Sequence, residues 1–162
     1  MIRDLITYYI KTWGGIKGNK ENSLNEYTTQ SAERLIQKGT KGIASWSKAI
    51  CIHDPQKYAI FDARVSISLN CLQIIFNTDN KILYPILLSQ NKTITKGNKI
   101  IKTLAKNDKW NKANENKFYV DYLNLLGSIA SEIKTEIAPI EMLLFAKAEE
   151  LINIVLENVY TH

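Results

Sequence analysis

The chain has 162 residues, 45% of them hydrophobic, a net charge of +5 and two cysteines, Cys51 and Cys71. That length supports one ordinary core without staples, and two thiols in such a chain exclude a disulfide framework. No stretch approaches the roughly 18 continuous apolar residues of a membrane span. The opening "MIRDLITYYIKTW" also lacks the order of charged, apolar and small residues that marks a signal peptide, so one compact cytoplasmic domain is expected over residues 1–162.

Ile2, Leu5, Ile6, Tyr9, Ile10 and Trp13 recur at helical intervals and predict an amphipathic helix. "GGIKGNKENS" ends it with a Gly-rich polar loop, where Trp13, Lys17 and Lys20 could meet phosphates, although a helix stop accounts for the same residues. Ser31 to Gln37 predicts a short helix closed by "KGTKG", and "IASWSKAICIH" another, stopped by Pro55. Beyond Asp62, "ARVSISLNCLQIIF" has the apolar density of a buried helix. Val65, Ile67, Leu69 and Cys71 also alternate with period two, but the segment meets no turn until "NTDNK", and its length favours helix.

"YPILLSQN" reads as a short apolar element and "NKTITKGN" as a turn-rich loop. Lys99 to Trp110 predicts a basic helix with Lys99, Lys102, Lys106 and Lys109 on one face and Ile100, Ile101, Leu104 and Ala105 opposite. The last third gives two strong helices separated near Ile137 to Pro139, because proline suits a first helical position and breaks an interior. The expected fold is mainly α, with little or no sheet, no internal repeat and no long linker.

Charge is unevenly placed. Residues 91–117 hold eight lysines against two acids, whereas residues 118–162 hold two basic residues against seven acids. Such clustering favours a polyanion as partner, since each neutralised phosphate releases counterions. The lysine face suits either a phosphate backbone or plain solvation. His53 with Cys51 and Cys71 lacks the spacing of a zinc site, and neither a P-loop nor a dinucleotide fingerprint is present, so no metal or cofactor is expected.

Asp62 sits where an apolar run becomes a helix, and an Asp there is a preferred N-cap, favoured also by the helix dipole. Two stretches suggest a chemical role as well. "APIEMLLFAKAEEL" resembles the helix near the end of 8-oxoguanine DNA glycosylases in which a polar residue and a Phe four positions later form the pocket for the extruded base. Glu141 and Phe145 match those positions. "GIASWSKAICIHDPQKYAIFDARV" is similar to the helix-hairpin-helix segment of that superfamily, in which a Lys begins a helix and an Asp opens the next, with Lys48 and Asp62 in the two places.

The resemblance implies a compact helical DNA glycosylase-like fold containing a helix-hairpin-helix-type segment. It implies an enzyme, a nucleoid-associated monomer, that cleaves the N-glycosidic bond of a damaged or modified base in duplex DNA. Asp62 would stabilise oxocarbenium-like charge on the sugar, and Lys48 would attack it as a neutral amine, with Lys41 the alternative amine. A monofunctional enzyme using Asp62 and water remains open. The base would be flipped out, with Phe145 offering a stacking face and Glu141 an edge contact. An ionised Glu only accepts hydrogen bonds, which suits an exocyclic amine such as cytosine N4 or an N–H edge of a purine, so a modified cytosine of phage DNA, and a role in phage defence, joins oxidised bases as a candidate. Arg64 and Trp46 flank this site as a phosphate grip and a stacking wedge, and Lys41, Lys99, Lys102, Lys106 and Lys109 complete the expected DNA contacts. The alternative is a catalytically inactive DNA-binding module of the same fold, in which Asp62 is only a cap.

Overall fold

The computed structural model of the chain describes residues 1–16, 18 and 20–160; Lys17 of the Gly-rich loop lies outside them. The first periodic segment forms α1 (Ile2–Tyr8), which runs into one π-helical turn (Tyr9–Trp13). Ile6 and Ile10 bury completely. The polar loop is shorter than the sequence suggests, because α2 (Glu21–Thr29) begins inside it. Its helical signal is only Leu24 and Tyr27, one turn apart. Burial of that pair against neighbouring helices, rather than intrinsic propensity, makes so short a helix stable.

α3 (Ala32–Ile36) is capped by Ser31, whose hydroxyl accepts the Arg34 N–H. A turn carrying Gly39 and Gly42 at φ +57 and +72, where side chains are strained, leads into α4 (Ile43–His53). Residues 58–61 are then buried outside any helix or strand, so their peptide groups must find partners elsewhere in the protein. They do: Tyr119 and Tyr122 donate their hydroxyls to the carbonyls of Ala59 and Ile60 at 2.8 and 2.9 Å, and the Ser47 hydroxyl accepts the Phe61 N–H at 3.1 Å.

α5 (Ala63–Ile75) resolves the period-two ambiguity. Its buried polar residues stitch the helix to its neighbours. Ser66 donates to the Pro85 carbonyl, Ser68 to the Leu144 carbonyl, and Asn70 exchanges two bonds with the backbone of Tyr84. The expected short apolar element is thus an extended segment laid along α5. Just before it β1 (Ile82–Leu83) makes a two-residue parallel pairing with β2 (Asn111–Lys112), Ile82 opposite Asn111.

α6 (Lys92–Asn107) starts well before Lys99, because Asn91 caps it by accepting the Ile94 N–H. "NKTITKGN" is therefore helix, not loop. Its Gly97 is a close-approach residue: a Cβ there would stand 2.8 Å from Ile67 Cδ1 and 2.9 Å from Ile152 Cγ1. α7 (Phe118–Ile133) and α8 (Ile137–Tyr160) follow, with Pro139 in the first turn of α8, where its missing N–H costs no intrahelical bond.

Two apolar clusters result. One gathers α1, α2, α4 and α7 around Trp46, Phe61 and Tyr122, and the other gathers α5, α6 and α8 around Ile67, Ile94 and Ile152. α5 and α8 make the most extensive helix pairing among the described residues. The chain is mainly helical, and among the described residues no helix is long and apolar enough to cross a membrane.

Candidate functional site

Where the clusters meet, an open cleft of about 940 Å³ runs past the N-terminus of α5. Its wall includes Trp13, Gly14, Lys48, Asp62, Arg64 and Phe145, and its rim residues 88–91. Lys48 and Asp62 stand fourteen positions apart in sequence, and the local structure explains their meeting. Ser47 and Phe61, the residue before each, are hydrogen-bonded in the core, and the flanking carbonyls are held by Tyr119 and Tyr122. None of these three positioning residues stands out by spacing. The only sequence signal is a pair of tyrosines one turn apart on an apolar helix, since a buried Tyr hydroxyl needs an acceptor.

Asp62 caps α5 as its position suggests. Its Oδ1 accepts the N–H groups of Arg64 at 2.9 Å and Val65 at 3.1 Å. Both capping bonds fall on one oxygen, so capping and chemistry need not compete for the same atom.

Lys48 is only 2% exposed and donates from Nζ to the Ala44 carbonyl at 2.7 Å. Burial lowers its pKa from the ordinary lysine range, while the charges of Asp62 and Glu141 oppose that shift. Glu141 is 7% exposed. Burial, reinforced by the Asp62 carboxylate and opposed by Lys48, pushes its carboxyl up to about 7. Its charge also raises the Cys51 thiol, which burial chiefly pushes up to about 11. Glu141 is buried one turn before Phe145 on the same helix, whereas Phe145 lies on the cleft wall.

Phe145 is half-buried in an aromatic file. The Tyr9 and Trp13 rings stack with centroids 4.6 Å apart, and Trp13 and Phe145 follow at 6.1 Å. The Arg64 guanidinium lies 5.2 Å from the Phe145 ring centre and makes a 2.6 Å ion pair with Glu149, which also accepts from Asn91. Arg64 is therefore committed to protein partners rather than poised for a phosphate.

Trp46 is placed otherwise than expected. It is fully buried, edge-on to Tyr119 with centroids 4.8 Å apart, and so cannot wedge into a base stack without unpacking the core. Trp13, on the π turn, is the tryptophan at the cleft. Lys41 is exposed on the turn before α4. Lys99, Lys102 and Lys106 are exposed along α6, which leaves the cleft rim at Asn91, so Lys106 lies about 20 Å along the axis at 1.5 Å per residue. Lys102 also borders a separate cavity of about 440 Å³ together with Lys112 and Glu115. Lys109 falls outside the face because α6 has ended, and its own φ is +53. Among the described residues no group of three or more His, Cys, Asp or Glu could hold a metal ion.

No family model, curated protein or solved structure matches the chain.

Proposed function

We propose that the chain is a DNA glycosylase of the helix-hairpin-helix type that extrudes a damaged or modified base and cleaves its N-glycosidic bond. The observation that carries this reading is the convergence of Lys48 and Asp62 on one open cleft walled by Trp13 and Phe145. The segment that resembles a helix-hairpin-helix also supports it: α4, with Lys48 in its interior rather than at its start, is followed by α5, which Asp62 caps. The cleft volume lies near the top of the usual range for small-molecule sites, enough for a nucleotide with part of its backbone.

In this mechanism the Asp62 carboxylate stabilises positive charge building on the sugar as the glycosidic bond lengthens. The neutral Lys48 amine gives its lone pair to C1′, the glycosidic electron pair leaves with the base, and the base takes up a proton. Loss of a proton from the nitrogen and opening of the sugar ring leave an iminium at C1′, from which the strand can be cut. Burial of Lys48 favours the neutral amine this needs. Glu141, titrating near neutrality, can hold the proton that Lys48 gives up.

The test is base release from duplexes bearing oxidised, alkylated, deaminated and phage-type modified bases, read as new abasic sites. The wild type should release one class, Asp62→Asn should release none while still binding, and borohydride should trap a covalent complex that Lys48→Gln does not form. Release that survives Asp62→Asn overturns the reading. Salt-dependent binding with no product from any duplex replaces it with a non-catalytic DNA-binding module.

A further inference from the structure

The π-helical turn is the one helical segment among the described residues that leaves α geometry, and it does so to present a ring to the cleft. Such insertions recur at functional sites. Trp13 is 50% exposed although it is the chain's bulkiest residue type. Its ring centroid stands 6.1 Å from that of Phe145, with the planes 28° from parallel, against 4.6 Å and 16° to Tyr9. A planar base placed between two rings needs two stacking intervals, about 6.8 Å from the ~3.4 Å spacing of bases along a strand. The Trp13 and Phe145 rings would have to part and align to admit one.

The two sides are built differently. Phe145 stands on α8 against Arg64, which Glu149 holds in place. Trp13 is anchored instead at a glycine turn, Gly14 and then Gly15 at φ +62, held by the Gly14 N–H on the Tyr9 carbonyl at 2.9 Å. Gly14 also lies against the active-site candidate: a Cβ there would stand 3.0 Å from Lys48 Cε. Any movement of the turn would therefore bear on the lysine stem.

We infer that Trp13 is the moving jaw of a nucleobase clamp, closing on an extruded planar base against Phe145 as the fixed jaw. The inference rests on the cleft being the base pocket of the proposed glycosylase and adds its positioning residue. Trp13 is not a catalytic residue; it sets how well the base is held and, through Gly14, where Lys48 sits.

The experiment uses the Asp62→Asn chain and a single-stranded oligothymidine carrying one central 2-aminopurine, whose emission falls on stacking. The clamp predicts strong quenching, lost in Trp13→Ala and largely kept in Trp13→Phe, which preserves the ring. Binding should weaken roughly 5- to 150-fold in Trp13→Ala, the loss of one base–aromatic stack. An oligonucleotide with an abasic site in place of 2-aminopurine should bind both chains alike. Equal quenching and affinity in Trp13→Ala, or no quenching in the parent, overturns the clamp. Neither readout requires bond cleavage. A clamp without chemistry would show quenching that depends on Trp13 but no abasic product, whereas chemistry without a clamp would show the reverse.

Discussion

Two capping bonds on a single oxygen of Asp62 confine its structural work to that atom, and the proposed chemistry can fall to the other. Asp62→Asn keeps a capping oxygen and should melt close to wild type. Asp62→Ala loses the cap and should cost about 1 kcal/mol, read by urea unfolding. Both should abolish base release. Glu141 gives a pH signature of its own. Its folded-state pKa of about 7 lies above the ordinary 4.5, so the folded protein binds that proton more tightly than the unfolded chain. The resulting stability is fully present below pH 4.5 and is lost as pH rises through 7, about 3 kcal/mol in all. Glu141→Gln, neutral throughout, should show a correspondingly smaller fall in unfolding free energy between pH 5 and pH 8. Lys48 acts in the opposite sense, since a lowered lysine pKa adds stability as pH rises, and because both proteins keep it the comparison isolates Glu141. Equal falls in the two proteins would mean that Glu141 is ionised at neutrality.

At the scale of elements, the link between α4 and α5 includes the buried segment 58–61, which the Ser47 hydroxyl fastens. Ser47→Ala leaves the buried Phe61 N–H without its acceptor and should cost about 1–3 kcal/mol. Because Lys48 and Asp62 adjoin that bond, base release should fall further than stability accounts for, measured well below the melting midpoint. Activity lost only in step with unfolding would make Ser47 a plain core residue. This connection was invisible in the sequence, where nothing couples residue 47 to 61. The elements themselves were more legible. α4 and α5 carry strong boundaries, Pro55 after one and Asp62 before the other, and both form close to where those residues put them. α2 and the first turns of α6 were missed for one reason: glycine, asparagine and threonine are read as loop formers, and tertiary packing overrides them. Gly97 shows this directly, since the glycine that suggested a turn is what lets α6 approach Ile67 and Ile152. Trp46 and Trp13 exchanged expected places because both lie on apolar helical stripes, and a stripe does not reveal which end stays open to solvent.

For the whole molecule the question is whether its positive charge serves the cleft. The basic stretch of residues 91–117 is carried chiefly by α6, whose N-terminal end lies at the cleft rim and whose exposed lysines lead away from it. A duplex entered at the cleft and lying along α6 would bring Lys99, Lys102 and Lys106 to successive phosphates, whereas a strand passing across the α5 N-terminus would meet none of them. The two paths differ in salt dependence. Each phosphate neutralised adds about 0.9 to the slope of log affinity against log salt. Replacing Lys99, Lys102 and Lys106 together by Ala should reduce that slope by about 2–3 if the duplex follows α6. Lys109→Ala should change it little, because Lys109 stands beyond the helix end. An unchanged slope in the triple variant would assign the lysine face to solvation and move the DNA path to the turn at Lys41. Placing the three lysines on the path has a second consequence: the triple variant should release base at an undiminished single-turnover rate once saturated, since the charges sit up to about 20 Å from the cleft rim and steer binding, not chemistry.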